Sequence, residues 1–189
     1  KAVPIALAVV FGLCAVAMIG IMVYFSCIDT ETDLGSFERI IRFNDIWGTH
    51  RGFMWIRSIW IFGDASFIEK LFGVGPDMFY SAFSPYFDDL SKYGDSSTNA
   101  AHNEYLNYLI TIGITGLLSY LAIVCGTIKN AVKYAKENPM LIACVSAVIC
   151  YAVQSVVNLY QPITTPLFFI FIALCEAFVR NAKAEKSAV

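Results

Sequence analysis

A histidine and an asparagine, His102 and Asn103, stand immediately before an apolar run that carries Gly113 and Gly116. The unperturbed pKa of histidine, about 6.5, lets the side chain accept and return a proton near neutral pH, as a general base must. A histidine at the start of a helix is also a common capping or interfacial residue, and asparagine favours the N-cap position. Residue type and position alone therefore leave both interpretations of His102 open.

Two arginines, Arg51 and Arg57, lie upstream in the same polar and aromatic region. A guanidinium keeps its charge at any pH, and its planar fork matches phosphate oxygens. Six positions of an α-helix place the two side chains about 120° apart, so we expect only one of them to face a phosphate-bearing ligand. Anchoring of a helix to anionic lipid is the structural alternative for either arginine.

Gly113 and Gly116, with Ser119 one turn further on, form a stripe of small residues on the predicted helix. In a membrane such a stripe lets a second helix approach closely. We therefore assign the two glycines to helix packing, which would hold the preceding His102 in a fixed position.

A metal site has weaker support. Asp88 and Asp89 are adjacent, and neighbouring side chains rarely converge on one ion without a third ligand, so we predict a solvated acidic loop and no metal. The sequence contains no Cys–His cluster and no Ser–His–acid spacing. Gln154 and Asn158, four positions apart in an apolar segment, either line a cavity or bond a neighbouring helix.

The composition indicates a membrane protein. Of the 189 residues, 58% are hydrophobic and 15% are charged, and the mean hydropathy is +0.63, whereas soluble proteins carry roughly 25% charged residues. The first apolar run is longer than the core of a signal peptide, which has about 7 to 15 residues. Because the chain begins with Lys1, we expect it to be part of a longer protein with further spans upstream. The six cysteines are expected to be small buried side chains without disulfides.

Four apolar segments predict an all-α integral membrane protein with about four transmembrane helices, since about 20 helical residues cross the hydrocarbon core. The fourth segment is short, and Pro162 and Pro166 at its start make a re-entrant path an alternative. The predicted organisation is a transmembrane helix at 1–28, an extracytoplasmic loop at 29–104, transmembrane helices at 105–128 and 140–159 joined by a cytoplasmic loop at 129–139, the short segment at 160–179, and a cytoplasmic tail at 180–189.

Basic residues predict the orientation. Segments 129–139 and 180–189 are both rich in lysine and arginine, which favours the cytoplasmic side. The loop at 29–104 then faces outward, is far longer than a simple connection, and is where we expect the chemistry. Within it, the stretch FMWIRSIWIF predicts an interfacial helix near 51–63, with its two tryptophans at headgroup level.

The order of these motifs resembles the O-antigen ligase and O-antigen polymerase family of bacterial membrane glycosyltransferases. That family carries a histidine followed by Asn, Ser or Gln, nine residues, and then Gly-x-x-Gly. Here His102 and Asn103 are followed by nine residues and by Gly113–Gly116, and the next residue is leucine where the family has Thr or Val. The resemblance covers roughly 49–121, including the R-x-x-x-W motif that starts at Arg51 and the stretch LFGVGPDMF.

The resemblance implies the C-terminal part of a larger GT-C-like enzyme in the cytoplasmic membrane of a bacterium, with its active site on the extracytoplasmic face. The enzyme would move a glycan from a lipid-linked donor, undecaprenyl diphosphate, to a sugar hydroxyl of a glycan or lipid-glycan acceptor. Inversion of the anomeric configuration, with no metal or other cofactor, is part of the same expectation. His102 would be the general base, Arg51 or Arg57 would bind the diphosphate, and Asn103 would orient the histidine or the acceptor.

Three alternatives stay open beside the ligase prediction. A polymerase of the same family shares the motif and differs in its acceptor, which is the growing glycan. A non-enzymatic subunit of a lipid-linked glycan transporter would carry charged residues along its spans, and these spans are nearly free of charge. A metal-dependent glycosyltransferase would use Asp88 and Asp89. The expected partners are membrane lipids and the two glycan substrates, not nucleic acid.

Overall fold

Every regular element of this computed structural model is a helix within the described residues, which are 2–136 and 138–187, with side chains described there except at 2–8 and 11. No strand occurs in those ranges, so the all-α prediction is confirmed. The α-helices are α1 (Ala2–Cys27), α2 (Glu38–Ile41), α3 (Trp47–Asp64), α4 (Phe67–Phe72), α5 (Phe79–Phe83), α6 (Phe87–Ser91), α7 (Glu104–Thr111), α8 (Gly113–Tyr134), α9 (Pro139–Gln154) and α10 (Thr164–Ser187). Short 3-10 helices lie at Gly35–Phe37 and Ser84–Tyr86.

One helix in the described ranges, α8, is both long enough and apolar enough to cross a membrane. It has 22 residues, against the roughly 20 that a span needs. Two shorter helical stretches are also apolar, namely Gly12–Cys27 within α1 and Pro139–Gln154. Of the four predicted spans, one, α8, meets the requirements of length and apolarity, and spans formed by α1, α9 and α10 stay predictions.

The segment predicted as one helix at 105–128 is two helices. α7 ends at Thr111 and α8 begins at Gly113, after Ile112. Gly113 has φ +68°, in the left-handed region, which interrupts a right-handed helix and which glycine adopts without a steric penalty. Apolarity, which predicted a single span, carries no information about such a break.

The last two helices also differ from the predicted bounds. α9 ends at Gln154, so Asn158 lies outside the helix and the two do not share a helical face. α10 runs from Thr164 to Ser187, with Pro166 in the first turn, where a missing N–H costs no helical hydrogen bond. Most of the predicted tail is therefore helical. Residue 137 of the predicted loop and residues 188 and 189 of the tail lie outside the described residues.

The chain divides into two compact units, Lys1–Arg57 and Ser58–Val189. In the first unit, the Arg42 guanidinium donates to the carbonyl oxygens of Phe25 at 3.0 Å and of Thr32 at 2.8 Å. The same group binds both carboxylate oxygens of Glu38 at 2.9 Å. Arg42 thereby holds the end of α1 to α2.

The core of the second unit is a bundle of α8, α9 and α10. Near the end of α8, Ala131 packs with Leu141 and Cys144 of α9 and with Cys175 of α10. Nearer its start, Tyr120 and Val124 pack with side chains of both other helices. The prediction that the cysteines are buried holds for Cys144 and Cys175, whereas the other four described cysteines are exposed. An apolar exposed side chain suits a lipid-facing surface, so burial did not follow from hydropathy.

α4 is a short helix with a complete capping box. The Ser66 hydroxyl accepts from the Glu69 N–H at 3.3 Å, and the Glu69 carboxylate accepts from the Ser66 N–H at 2.8 Å. These hydrogen bonds to Ser66 hold the pKa of the Glu69 carboxyl below its ordinary value. The cap fixes the direction in which α4 leads into the glycine turn that follows it.

The end of α4 and the start of α8 meet at two glycines, Gly73 and Gly113, which we call the glycine junction. A Cβ on Gly113 would lie 2.4 Å from the carbonyl carbon and oxygen of Leu71, and one on Gly73 would lie 2.3 Å from those of Thr111. Both glycines also have positive φ, +77° and +68°. The Thr115 hydroxyl donates to the Leu71 carbonyl at 2.7 Å across the same contact. Only residues without a Cβ allow this approach.

The turn after Gly73 supplies partners for the end of α7. The N–H of Val74 donates to the carbonyl of Ile110 and the N–H of Gly75 to that of Thr111, both at 3.0 Å. The last carbonyls of a helix have no partner within it. The break between α7 and α8 is therefore stabilised by the glycine turn, which fixes the C-terminal end of α7.

We predict that Gly113→Ala destabilises the protein and that Gly126→Ala does not. A left-handed non-glycine residue costs about 1–2 kcal/mol, and the overlap with Leu71 adds to this cost. Thermal unfolding in detergent should show a Tm lower by several degrees, at about 2 to 4 °C per kcal/mol. A Cβ on Gly126 meets nothing within 4 Å, and alanine is favoured over glycine inside a helix, so that variant should keep or slightly raise the native Tm. Equal Tm values for the two variants would contradict the glycine junction.

Candidate functional site

His102 directly precedes the N-cap of α7. It is half-buried and has φ +51°, a left-handed conformation that histidine adopts more readily than most residues. Asn103 is the N-cap, and its side-chain oxygen accepts from the Leu106 N–H at 3.0 Å. The structural interpretation of Asn103 is confirmed, and its role towards histidine or acceptor stays a prediction.

Asn107, one turn into α7, holds the backbone just before the histidine. The N–H of Ala101 donates to the Asn107 side-chain oxygen at 3.4 Å, and the Asn107 N–H donates to the Asn103 carbonyl at 2.9 Å. Ala101 is fully buried. His102 therefore lies between two backbone positions that the first turn of α7 fixes.

Glu104, the first residue of α7, is a buried carboxylate that sequence reasoning missed. It is 1% exposed. Its oxygens accept from the Tyr108 hydroxyl at 2.8 Å and from the Ser155 hydroxyl at 2.7 Å. The Glu104 N–H also donates to the Ser155 carbonyl at 2.9 Å. These bonds tie the start of α7 to the end of α9. An acid directly after the His-Asn pair was a visible signal, but its partner lies 51 residues away.

A cavity of about 400 Å³ lies beside the same helix, within the second unit. One wall is a face of α7, made by Asn107, Tyr108, Thr111 and Ile112. The remaining lining residues are Pro76, Asp77 and Phe79 after the glycine turn, Asn99, and Tyr160 and Thr165 around the start of α10. We call this cavity the α7 cleft. His102 is not among its lining residues.

The two predicted arginines belong to the first unit and differ in their surroundings. The Arg57 guanidinium makes a two-pronged ion pair with the Asp45 carboxylate, one of whose bonds is 2.8 Å long. It also stacks on the Phe53 ring, 4.1 Å from the centroid, and its side chain is 14% exposed. Within the described part of the chain, no hydrogen bond or ion pair engages the half-buried Arg51 side chain.

The backbone around Arg51 is tightly constrained. Gly48, Thr49 and His50 all have positive φ, between +59° and +66°, so a left-handed turn precedes the regular part of α3. Thr49 is β-branched, and such residues rarely adopt this region. On the other side of Arg51, a Cβ on Gly52 would lie 1.9 Å from the Asn44 carbonyl oxygen. The position of the Arg51 Cα is thus set by its neighbours.

The predicted packing glycines have different contacts. Gly113 lies against the end of α4, in the glycine junction, whereas a Cβ on Gly116 would meet the side chain of Ile112 at 2.5 Å. His102, Asn103 and both glycines belong to the second unit.

The acidic pair at 88–89 makes an ordinary surface contact. The Asp89 carboxylate binds the Lys92 ammonium at 2.6 Å, and this hydrogen bond raises the pKa of Lys92. In residues 2–136 and 138–187, no group of three His, Cys, Asp or Glu side chains is placed to hold a metal ion.

We predict that Glu104→Gln destabilises the protein more than Glu176→Gln does. Hydrogen bonds to a buried charged group contribute about 1.5–3 kcal/mol, and two hydroxyls depend on the Glu104 carboxylate. Glu176 pairs with Arg180 on the surface, where such a pair contributes roughly 0–1 kcal/mol. Thermal unfolding in detergent of both variants checks this. A larger loss of Tm for Glu176→Gln would mean that the buried network contributes little.

Comparison with known proteins gives one match. No curated protein and no solved structure matches the chain. The model of the O-antigen ligase family (Wzy_C) matches residues 2–121, more than half of the 189 residues. The match includes the His-Asn pair and both motif glycines. This family consists of membrane-embedded enzymes, and the chain belongs to the O-antigen ligase family.

Proposed function

We propose that the protein transfers a glycan from undecaprenyl diphosphate to the hydroxyl of an acceptor sugar during assembly of a cell-surface polysaccharide. The observation that carries the proposal is the position of His102, at the start of a helix held at both ends by hydrogen bonds. Membership of a family that acts on lipid-linked glycans supports the reaction class. A final ligation step is our first choice and chain polymerisation the second.

The proposed topology puts the site on the extracytoplasmic face of a bacterial cytoplasmic membrane, with α1, α8, α9 and α10 as spans. Lys133 in the last turn of α8 and Lys186 in the last turn of α10 support this orientation. The α7 cleft lies by the opposite ends of these helices, at the start of α8 and α10. An antiparallel bundle with α9 running the other way is consistent with both observations.

His102 would act as the general base. An imidazole nitrogen takes the proton from the acceptor hydroxyl while that oxygen bonds to the anomeric carbon of the donor sugar. The bond from this carbon to the diphosphate oxygen breaks on the opposite face, which inverts the configuration and releases undecaprenyl diphosphate. A base fixed by backbone constraints on both sides pays little orientational entropy when the acceptor arrives.

Arg51 is the better candidate for the diphosphate. The Arg57 fork is already occupied by Asp45, whereas the Arg51 fork has no acidic partner in the described part of the chain. A guanidinium near the leaving oxygens would neutralise the charge that develops as the bond breaks. We therefore assign Arg57 to holding the local fold and Arg51 to the donor.

Replacing His102 tests the base. We use His102→Asn because asparagine tolerates the left-handed conformation and leaves the backbone undisturbed. A general base contributes about 10²- to 10⁴-fold to the rate, so transfer should fall by that factor at unchanged Tm. In a strain lacking the gene, the variant at matched membrane abundance should leave surface glycan unmade and lipid-linked precursor accumulated. Normal surface glycan in the His102→Asn strain would mean that His102 is not the base and has a structural role.

Variants of Arg51 and Arg57 should differ in the quantity that changes, which is transfer activity for Arg51 and Tm for Arg57. Arg51→Ala should abolish transfer at native abundance and Tm. Arg57→Ala should lower Tm, because it removes both hydrogen bonds of the Arg57 guanidinium to the Asp45 carboxylate, at a cost of about 1–3 kcal/mol. Arg39→Ala, an exposed arginine of α2, is the matched control and should change neither. Native transfer by Arg51→Ala would contradict its assignment to the diphosphate.

The same strains distinguish the remaining functions. Loss of long chains with short glycan still attached to the final acceptor indicates a polymerase, whereas complete chains left on the lipid carrier indicate a ligase. A transporter subunit predicts precursor trapped on the cytoplasmic leaflet, out of reach of a membrane-impermeant reagent. We expect the precursor in the His102→Asn strain to be accessible from outside.

A further inference from the structure

The α7 cleft carries an inference about the acceptor that rests on the proposed function. Its volume, about 400 Å³, is within the range of small-ligand sites. Asn107 and Thr111 stand four positions apart on α7, and Tyr108 has the same spacing to Ile112 directly after the helix, so one face of α7 forms a continuous wall. The loop after the glycine turn and the segment before α10 close the other sides.

The charge of the lining excludes a diphosphate. The ten residues that line the cleft include no lysine, arginine or histidine, and the single acidic residue among them is Asp77. A dianionic group here would meet a carboxylate and gain no cation. The remaining polar lining consists of amides and hydroxyls, which bind neutral ligands that both donate and accept hydrogen bonds.

One of these polar groups is buried and has an unused donor. Asn107 is 6% exposed, and its side-chain oxygen accepts from Ala101. Its side-chain nitrogen donates to no residue in the described part of the chain and is not among the fully enclosed unpaired polar atoms there, and Asn107 lines the cleft. An amide donor that is open to a cleft and has no protein partner is available to bond a ligand acceptor there. A sugar hydroxyl supplies such an acceptor.

Asp77 and an aromatic side chain of the lining also suit a neutral sugar. The Asp77 carboxylate is exposed at the cleft and accepts hydrogen bonds only. The exposed Tyr160 adds ring surface for the apolar C–H faces of a sugar. We propose that the α7 cleft binds the neutral acceptor sugar, with Asn107 donating to one hydroxyl and Asp77 accepting from another.

The location of Asn107 connects this site to the reaction. Asn107 lies four residues after Asn103, which is about 6 Å along the helix axis. His102 is the residue directly before Asn103. The cleft and the proposed base therefore lie at the start of the same helix, with His102 just before the N-cap and outside the residues that line the cleft. The donor diphosphate binds elsewhere, at a guanidinium.

Direct binding tests the proposal. Saturation-transfer NMR on the purified protein uses two neutral probes, methyl β-glucoside and methyl β-galactoside, with pyrophosphate as competitor. Asn107→Asp keeps the oxygen that holds Ala101 and removes the donor, and Asp77→Asn removes the charge without changing shape. Each variant should weaken binding of at least one sugar by about three- to tenfold, the effect of one hydrogen bond. The control Asp88→Asn changes an exposed acid of α6 outside the cleft and should bind the sugars as the native protein does.

Three results would overturn the proposal: displacement of the sugar by pyrophosphate, native binding by both cleft variants at native Tm, or no saturable binding by the native protein. In transfer assays, the cleft variants should raise the KM for the acceptor three- to tenfold and leave the KM for the donor unchanged. Transfer by the native protein without sugar binding in the cleft removes this site and leaves the proposed function. Sugar binding in the cleft together with normal surface glycan in the His102→Asn strain would keep the cleft site and remove the proposed function.

Discussion

The close contact of two glycine backbones, Gly73 and Gly113, is the constraint on which the second unit depends. A Cβ at either glycine would overlap backbone atoms of the segment on the other side of the contact. The contact breaks a long apolar segment into α7 and α8 and supplies amide groups to the carbonyls left at the break. Two sequence motifs separated by about 40 residues, the Gly-x-Gly turn and the Gly-x-x-Gly pair, are thus parts of one structural feature.

α7 is held at its other end by a buried carboxylate. Glu104 bonds to Ser155 through both backbone and side chain, and to Tyr108 one turn further along α7. A short helix of eight residues would be marginal in isolation, so its order comes from these ties. The same ties fix the backbone of the His-Asn pair that directly precedes α7. Preorganisation of this kind is what a base and an acceptor site both require.

Local features were predictable from the sequence, and partnerships across the chain were not. The helix start at Asn103 followed from a capping residue before an apolar run, and the all-α class followed from composition. The break before Gly113 did not, because two glycines in an apolar run fit a continuous packed helix equally well. Arg51 and Arg57 could not be distinguished from the sequence. In the structure, the Asp45 carboxylate, twelve positions before Arg57, binds the Arg57 guanidinium. Side-chain pairing over such distances depends on folded geometry.

The break between α7 and α8 has a mechanical consequence. A continuous helix would pass any tilt of its lower part directly to its upper end, and spans tilt when bilayer thickness changes. Here the chain bends at Ile112, and hydrogen bonds hold the two ends of α7 to the turn after α4 and to Ser155 at the end of α9. A tilt of α8 would therefore reach α7 through side-chain contacts such as Tyr108–Tyr120 and through the glycine junction, and not along one continuous helical axis.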